Sequence, residues 1–252
     1  MKKGQKHYES VFENEGDLLV ALLDLHNGGM IPDCEPMFFK GNFWKDWGEY
    51  PKLVFDIKPQ EKWIPQADAR NLPLESDSIK SIILDPPFMF GGHGKQDSFY
   101  SSRTHGIMPW IDLQNLYKDI LKEANRVLQK GGVCFFKCQD YTDSKTTMTH
   151  CLTYQWALEQ GFYAKDLAIL VKPNKVTNPN TTQRHLRKIH TYFWVFIKLP
   201  PTKDTNKAQA HHYKGYEPRF WLYEVMLNKT NMSHIQEIES LSTNSPSLVE
   251  EK

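Results

Sequence analysis

Asp85-Pro86-Pro87-Phe88 places a carboxylate, two fixed backbone positions and an aromatic ring in four consecutive residues. Proline locks φ and removes a backbone donor, so two in succession do not belong in the interior of a hydrogen-bonded ladder. The tetrapeptide follows the apolar run Ile82-Ile83-Leu84, which has the character of a buried strand. A rigid turn at the carboxyl end of a strand is where open α/β sheets bind ligands. This set of groups suits a planar ring that bears an amine. Asp85 and the Pro86 carbonyl accept the two N–H bonds, and Phe88 stacks on the ring. An amine held in that way points its lone pair at an electrophile.

Three more acids precede this turn. Glu35-Pro36-Met37-Phe38-Phe39-Lys40-Gly41 opens on an acid and reaches a glycine six residues later. Asp56 ends the strand-like segment Lys52-Leu53-Val54-Phe55-Asp56, 21 residues after Glu35, where an acid suits ribose hydroxyls. Ala67-Asp68-Ala69-Arg70-Asn71-Leu72-Pro73 sets another acid in a turn. Each has a plainer reading: an aromatic core loop, a capping Asp56, a surface Asp68. The order Glu35, Asp56, Asp68, Asp85 weighs more than any one member.

Asp85-Pro86-Pro87-Phe88 resembles the D/N/S-P-P-Y/F/W signature of S-adenosylmethionine-dependent amino-methyltransferases. That group includes DNA adenine-N6 and cytosine-N4 methyltransferases, some RNA base methyltransferases and protein glutamine methyltransferases. The resemblance implies S-adenosyl-L-methionine as cofactor. Glu35, Phe39, Lys40 and Gly41 would form the turn against its methionine part, although Phe39 stands where the family has its middle glycine. Asp56 would take the ribose, Asp68 with Ala69 the adenine amine, and Asp85 would border cofactor and target alike. Leu121 to Gly132 is similar to the helix-turn before the family's fifth strand, and His190 to Phe196 to its terminal hairpin strand, so the similarity spans residues 10–199. The implied reaction is a direct in-line displacement without a covalent enzyme intermediate. An opening Asp favours adenine N6 of DNA over cytosine. An RNA base methyltransferase acting on adenine or guanine amines stays open, as do a non-catalytic nucleic-acid-binding subunit of the same fold and a partner subunit. A glutamine methyltransferase fits less well, since that group opens on Asn.

The elements that must position these residues alternate between strands and helices. Apolar positions at helical spacing predict a helix over 10–27, stopped by Asn27-Gly28-Gly29. A second helix is expected over 112–129, closed by Gly131-Gly132, and a third over 146–160, ending at Gly161. Strands are expected near 30–37, 52–56, 78–85, 133–138, 167–171 and 191–198, the last buried on both faces. This alternation indicates a doubly wound, Rossmann-like α/β sheet, with the last two strands as a terminal antiparallel hairpin. The methyltransferase domain is expected over 1–228, with a Ser-, Asn- and Glu-rich flexible tail over 229–252.

With 252 residues and 40% hydrophobic composition, the chain can bury one substantial core. No apolar run approaches the roughly 20 residues needed to span a bilayer, and no secretory signal opens the chain, so a cytoplasmic protein is expected. Net charge is +1, yet Lys172, Lys175, Arg184, Arg187, Lys188, Lys198 and Lys203 follow one another with no acid between them. Lys172, Lys175, Arg184, Arg187 and Lys188 are therefore candidates for phosphate contact. The loop Gly91-Gly92-His93-Gly94-Lys95, with Arg103 beyond, is a candidate to close over a flipped base through Lys95 and Arg103. Cys34, Cys134, Cys138 and Cys151 form no C-x-x-C pair and read as small apolar residues rather than zinc ligands.

Overall fold

Asn14 begins the first helix by capping it: its side chain accepts the Gly16 and Asp17 amides at 2.7 and 3.1 Å. In the computed structural model, which describes residues 6–89, 109–142, 145–172, 184–186 and 188–200, helix α1 runs over Glu15–His26. The expected helix over 10–27 is thus shorter at its start. Val11 and Phe12 form strand β1, paired with Ile169 and Leu170, so Val11 is lost from the helix to the sheet. Asn27, Gly28 and Gly29 end α1 as expected, with the Gly29 amide on the Leu23 carbonyl.

The further elements are β2 (Cys34–Glu35), a 3₁₀ turn (Asn42–Trp44), β3 (Leu53–Val54), β4 (Ile79–Leu84), α2 (Trp110–Val127) and β5 (Leu128–Cys138). After these come the β6–β7 ladder (Tyr141–Thr142, Thr146–Thr147), α3 (Thr149–Glu159), β8 (Phe162–Val171) and β9 (His190–Lys198). Among the described residues, seven strands make one sheet in the order β1-β8-β9-β5-β4-β2-β3. Neighbours run parallel except at β9, which is antiparallel to both β5 and β8. The doubly wound sheet with its terminal hairpin is therefore present.

Alternate residues of the central strands feed two cores. Ile83, Phe135, Phe193 and Val195 pack with Leu18, Leu19, Leu22 and Leu23 of α1. Ile82, Leu84, Cys134, Phe136, Cys138 and Phe196 pack with Leu113, Tyr117, Ile120 and Leu121 of α2 and Trp156 of α3. The sheet is thus covered on both faces, as near-continuous apolar strands require. No residue of β9 is exposed, in line with the sequence expectation.

Gly131 and Gly132 do something other than close α2. The helix stops at Val127, and β5 starts at once with Leu128 opposite Ile79; the next pair is Val133 opposite Ser81. The glycines lie in the extra length between these pairs. Gly131 has φ 76°, and a Cβ on Gly132 would stand 2.8 Å from the Gln129 carbonyl and 3.0 Å from that of Lys80. They serve a bulge. Strand β8 also starts earlier than expected, its first half masked in sequence by the exposed Lys165 and Asp166 at a register shift. Among the described residues no helix is long and apolar enough to cross a membrane. The chain divides into a unit over Met1–Pro201 and a second over Thr202–Lys252, so the boundary expected at residue 228 lies outside the described residues.

Glu123 ties α2 to the turn after Asp68. One of its oxygens accepts the Leu72 amide and the Arg126 guanidinium, each at 2.6 Å, and Arg126 also donates to the carbonyls of Leu72 and Leu74. Burial acts to raise this carboxyl, but Arg126 and the Leu72 amide outweigh it and hold the group below the ordinary glutamate value. A depressed acid stabilises the fold fully above its unfolded pKa and loses that contribution as pH falls through its folded value. Glu123→Gln is expected to cost about 2 kcal/mol in urea unfolding at neutral pH. The difference from wild type should shrink as the buffer is taken below the glutamate range.

Candidate active site

Parallel strands deliver their carboxyl ends to one edge of the sheet, and the sequence candidates gather there. β2 ends on Glu35, β3 leads through Phe55 to Asp56, and β4 leads directly into Asp85. Pro86 is buried, while Asp85, Pro87 and Phe88 are half-buried. The Tyr117 hydroxyl of α2 donates to the Pro87 carbonyl at 3.0 Å, so the di-proline turn is fixed from the helix below it.

The turn after β2 keeps the backbone shape that its missing glycine would have supplied. Phe39 has φ 49° and Gly41 φ 64°, both left-handed. Such a conformation costs a residue with a Cβ about 1–2 kcal/mol. At Phe39 a hydrogen bond offsets it: its amide donates to Asp56 Oδ2 at 2.7 Å. Asp56 Oδ1 accepts the Lys58 amide at 2.8 Å, so this buried carboxylate clamps the turn to the segment leaving β3. At Gly41 a Cβ would stand 2.6 Å from the Phe38 ring. Lys40 is exposed, its ammonium 5.7 Å from the centre of the Phe39 ring.

Glu35 is 2% exposed and accepts the Trp44 indole N–H at 2.5 Å. Burial drives its carboxyl well above the ordinary glutamate range; Trp44 opposes this, while Asp85 adds to it. The neutral acid is thereby favoured beside two other carboxyls. Asp68 is paired within its own turn. The Arg70 guanidinium grips both its oxygens, at 2.6 to 3.0 Å, and the Arg70 amide donates to Oδ1 at 2.9 Å. Ala69 beside it is buried.

Two charged groups that the sequence reading passed over complete this edge. Lys137, near the end of β5, lies 2.8 Å from Glu15 and 3.5 Å from Asp85, with its ammonium 4.8 Å from the Phe43 ring centre and 5.4 Å from that of Phe193. Burial works against its charge, but Asp85 and Glu15 outweigh that and hold its pKa above the usual lysine value. For Glu15 burial likewise raises the carboxyl and Lys137 more than reverses it. The one sequence signal for Lys137 is a charge inside the apolar run Phe135-Phe136-Lys137-Cys138. On the other face of β5, Asp140 accepts from His150 at 2.7 Å, and His150 stacks on Tyr192 at 4.1 Å.

Of the basic candidates, Lys172 and Arg184 are exposed and Lys188 is half-buried; Lys95, Arg103, Lys175 and Arg187 lie outside the described residues. Strand β8 is parallel to β5, both being antiparallel to β9. Lys172, just past the end of β8, therefore emerges at the same edge as Asp85, and lies 3.8 Å from Glu15.

The model of the DNA methylase family matches residues 79–241, more than half of the chain. No curated protein matches. Among solved structures, a Thermus thermophilus protein assigned to the DNA modification methylases, complexed with S-adenosyl-L-methionine, is 16% identical over 55% of this chain and 56% of its own, with a TM-score of 0.38. The PvuII cytosine-N4-specific DNA methyltransferase is 13% identical over 53% of this chain and 49% of its own, with a TM-score of 0.38. TrmN from Thermus thermophilus is 20% identical over 71% of this chain and 47% of its own, with a TM-score of 0.40. The chain thus spans about half the length of these proteins. By this match over residues 79–241, which include β4, the Asp85-Pro86-Pro87-Phe88 turn and α2, the chain belongs to the N6/N4 DNA methylase family of S-adenosylmethionine-dependent amino-methyltransferases.

Proposed function

We propose that the chain methylates the exocyclic amine of a nucleic-acid base, adenine N6 in DNA. The observation that carries this reading is the Asp85-Pro86-Pro87-Phe88 turn, half-buried at the carboxyl edge of β4 and braced by Tyr117. The family match, described as DNA methylase, favours DNA over RNA.

The residues fit the cofactor at the turn after β2, where the left-handed Gly41 leaves no room for a side chain. Glu35, Phe39, Lys40, Gly41, Asp56, Asp68, Ala69 and Asp85 would hold S-adenosyl-L-methionine, which when bound supplies an electrophilic methyl group. The protein's part is placement and electrostatics. Asp85 and the Pro86 carbonyl accept the two amine hydrogens, which withdraws the nitrogen lone pair from the ring. With the methyl group supplied in this way, Asp85 would face the positive charge that the target nitrogen takes up, until one amine proton is lost to solvent. Phe88 holds the ring by its face. A duplex target must leave the stack to arrive there, and Lys172, Arg184 and Lys188, with Lys95, Arg103, Lys175 and Arg187, are assigned to its phosphates.

Two measurements test the reading. With labelled cofactor and separate DNA and RNA pools, nucleoside mass analysis should show N6-methyldeoxyadenosine, and Asp85→Ala should lower its formation about 1,000-fold while largely sparing cofactor affinity. Label in the RNA pool alone would move the substrate to RNA; unchanged turnover in Asp85→Ala would remove the role given to Asp85. In calorimetry, Gly41→Ala should weaken S-adenosylmethionine binding more than about ten-fold, because it combines a strained φ with a clash. Wild-type affinity in Gly41→Ala would remove the cofactor role given to this turn.

A further inference from the structure

Asp85 has a neighbour that the reading above leaves without a task. The pairing of β4 with β5 sets Leu84 opposite Phe136, so Asp85 comes level with Lys137, and Lys137 in turn stands opposite Phe193 on β9. The lysine side chain is 12% exposed, and those of Asp85 and Glu15 are 20% and 25% exposed. A desolvated ammonium in an apolar strand is costly unless paired, and here two carboxylates from different elements converge on it. The contacts are unequal: 2.8 Å to Glu15 and 3.5 Å to Oδ2 of Asp85. Phe43 and Phe193 border the ammonium and limit where it can move.

Resting on the methyl-transfer reading, we infer that Lys137 is the positioning residue of Asp85, holding Oδ2 so that the other oxygen meets the target amine. Glu15 keeps the lysine from closing fully on Asp85. Lys137 in return offsets Glu15, so two carboxylates and one ammonium present a single net negative charge to the nitrogen as it becomes positive. The other ionisable groups around this trio are Glu35 at the end of β2, Asp56 after β3, Lys172 after β8 and Lys45. None of them contacts Asp85 in the way Lys137 does among the described residues.

The test compares full-chain wild type with Lys137→Met, Lys137→Arg, Glu15→Gln and the Lys137→Met/Glu15→Gln double variant. Single-turnover methyl transfer to DNA and calorimetric S-adenosylmethionine affinity are read for each. Lys137→Met should slow transfer about 100-fold, as loss of reactive geometry does, with cofactor affinity kept within about two-fold. Lys137→Arg should recover most of that rate. Glu15→Gln should slow transfer about ten-fold, and the double variant should be no slower than Lys137→Met, since both act through one contact. Equal rates in Lys137→Met and wild type, additive losses, or parallel losses of rate and cofactor affinity would each overturn the assignment. If Lys137→Met does not fold, Glu15→Gln decides, and a wild-type rate there overturns it. A wild type that binds cofactor yet labels no pool instead sinks the methyl-transfer reading, and this assignment with it.

Discussion

Register between β4 and β5 couples the core of this protein to its chemistry. Ile82, Ile83 and Leu84 pair with Cys134, Phe135 and Phe136, and side chains alternate between the two cores along both strands. A slip by one residue would exchange the faces of β5. Lys137 would then enter the layer now filled by Cys138, Trp156 and Phe196, with no carboxylate from α1 to meet it. The apolar pairs cannot shift without stranding a buried charge, and the charge cannot be placed without them. The bulge at Gly131 and Gly132 takes up the length difference at the other end, so that α2 can end directly in β5 while the pairs nearer Asp85 stay in step.

The turn after β2 shows a second kind of constraint. Its backbone is left-handed at both positions where the family turn calls for glycine, yet one of them is Phe39. The conformation is therefore imposed by the surroundings. Asp56 holds the Phe39 amide, the Phe38 amide bonds to the Phe55 carbonyl, and the Gly41 amide bonds to the Phe38 carbonyl. A residue held in a sparsely populated region persists only where its neighbours over-determine it, and such positions cluster at ligand-binding turns. Asp56 accordingly has structural work in addition to the ribose contact assigned to it, and a carboxylate has lone pairs enough for both.

Much of this was legible from sequence because it is local. The strand before Asp85, the glycine stop of α1 and the apolar stripe of α2 are each written within one segment. The order of acids was readable because each parallel strand brings its carboxyl end to the same edge. What could not be read was pairing across distance. Glu15 and Lys137 are 122 residues apart, and nothing in either segment names the other. Periodicity also misplaced Val11, since a two-residue strand at the sheet edge is too short to show alternation. Gly131-Gly132 looked like a helix stop because helix caps and strand bulges draw on the same glycine freedom. The Arg70–Asp68 pair, two residues apart, did not show in periodicity either.

These long-range pairs give α1 a part in the site that its leucines alone would not. Its apolar face secures it to the sheet, but its first turn carries Glu15, where the helix dipole favours an anion. From there Glu15 reaches Lys137 beneath Asp85 and Lys172 at the start of the basic segment. One carboxylate thus stands between Lys137, the partner of Asp85, and Lys172, the first cation of the surface assigned to phosphate. Exposed pairs such as Lys172–Glu15 contribute little to stability, whereas the desolvated Lys137–Glu15 contact is strongly destabilising to break. A phosphate that draws Lys172 away would therefore leave Glu15 where it is, on Lys137. On this argument target binding and the order of Asp85 are separable: the outer pair can exchange partners while the inner one keeps its geometry.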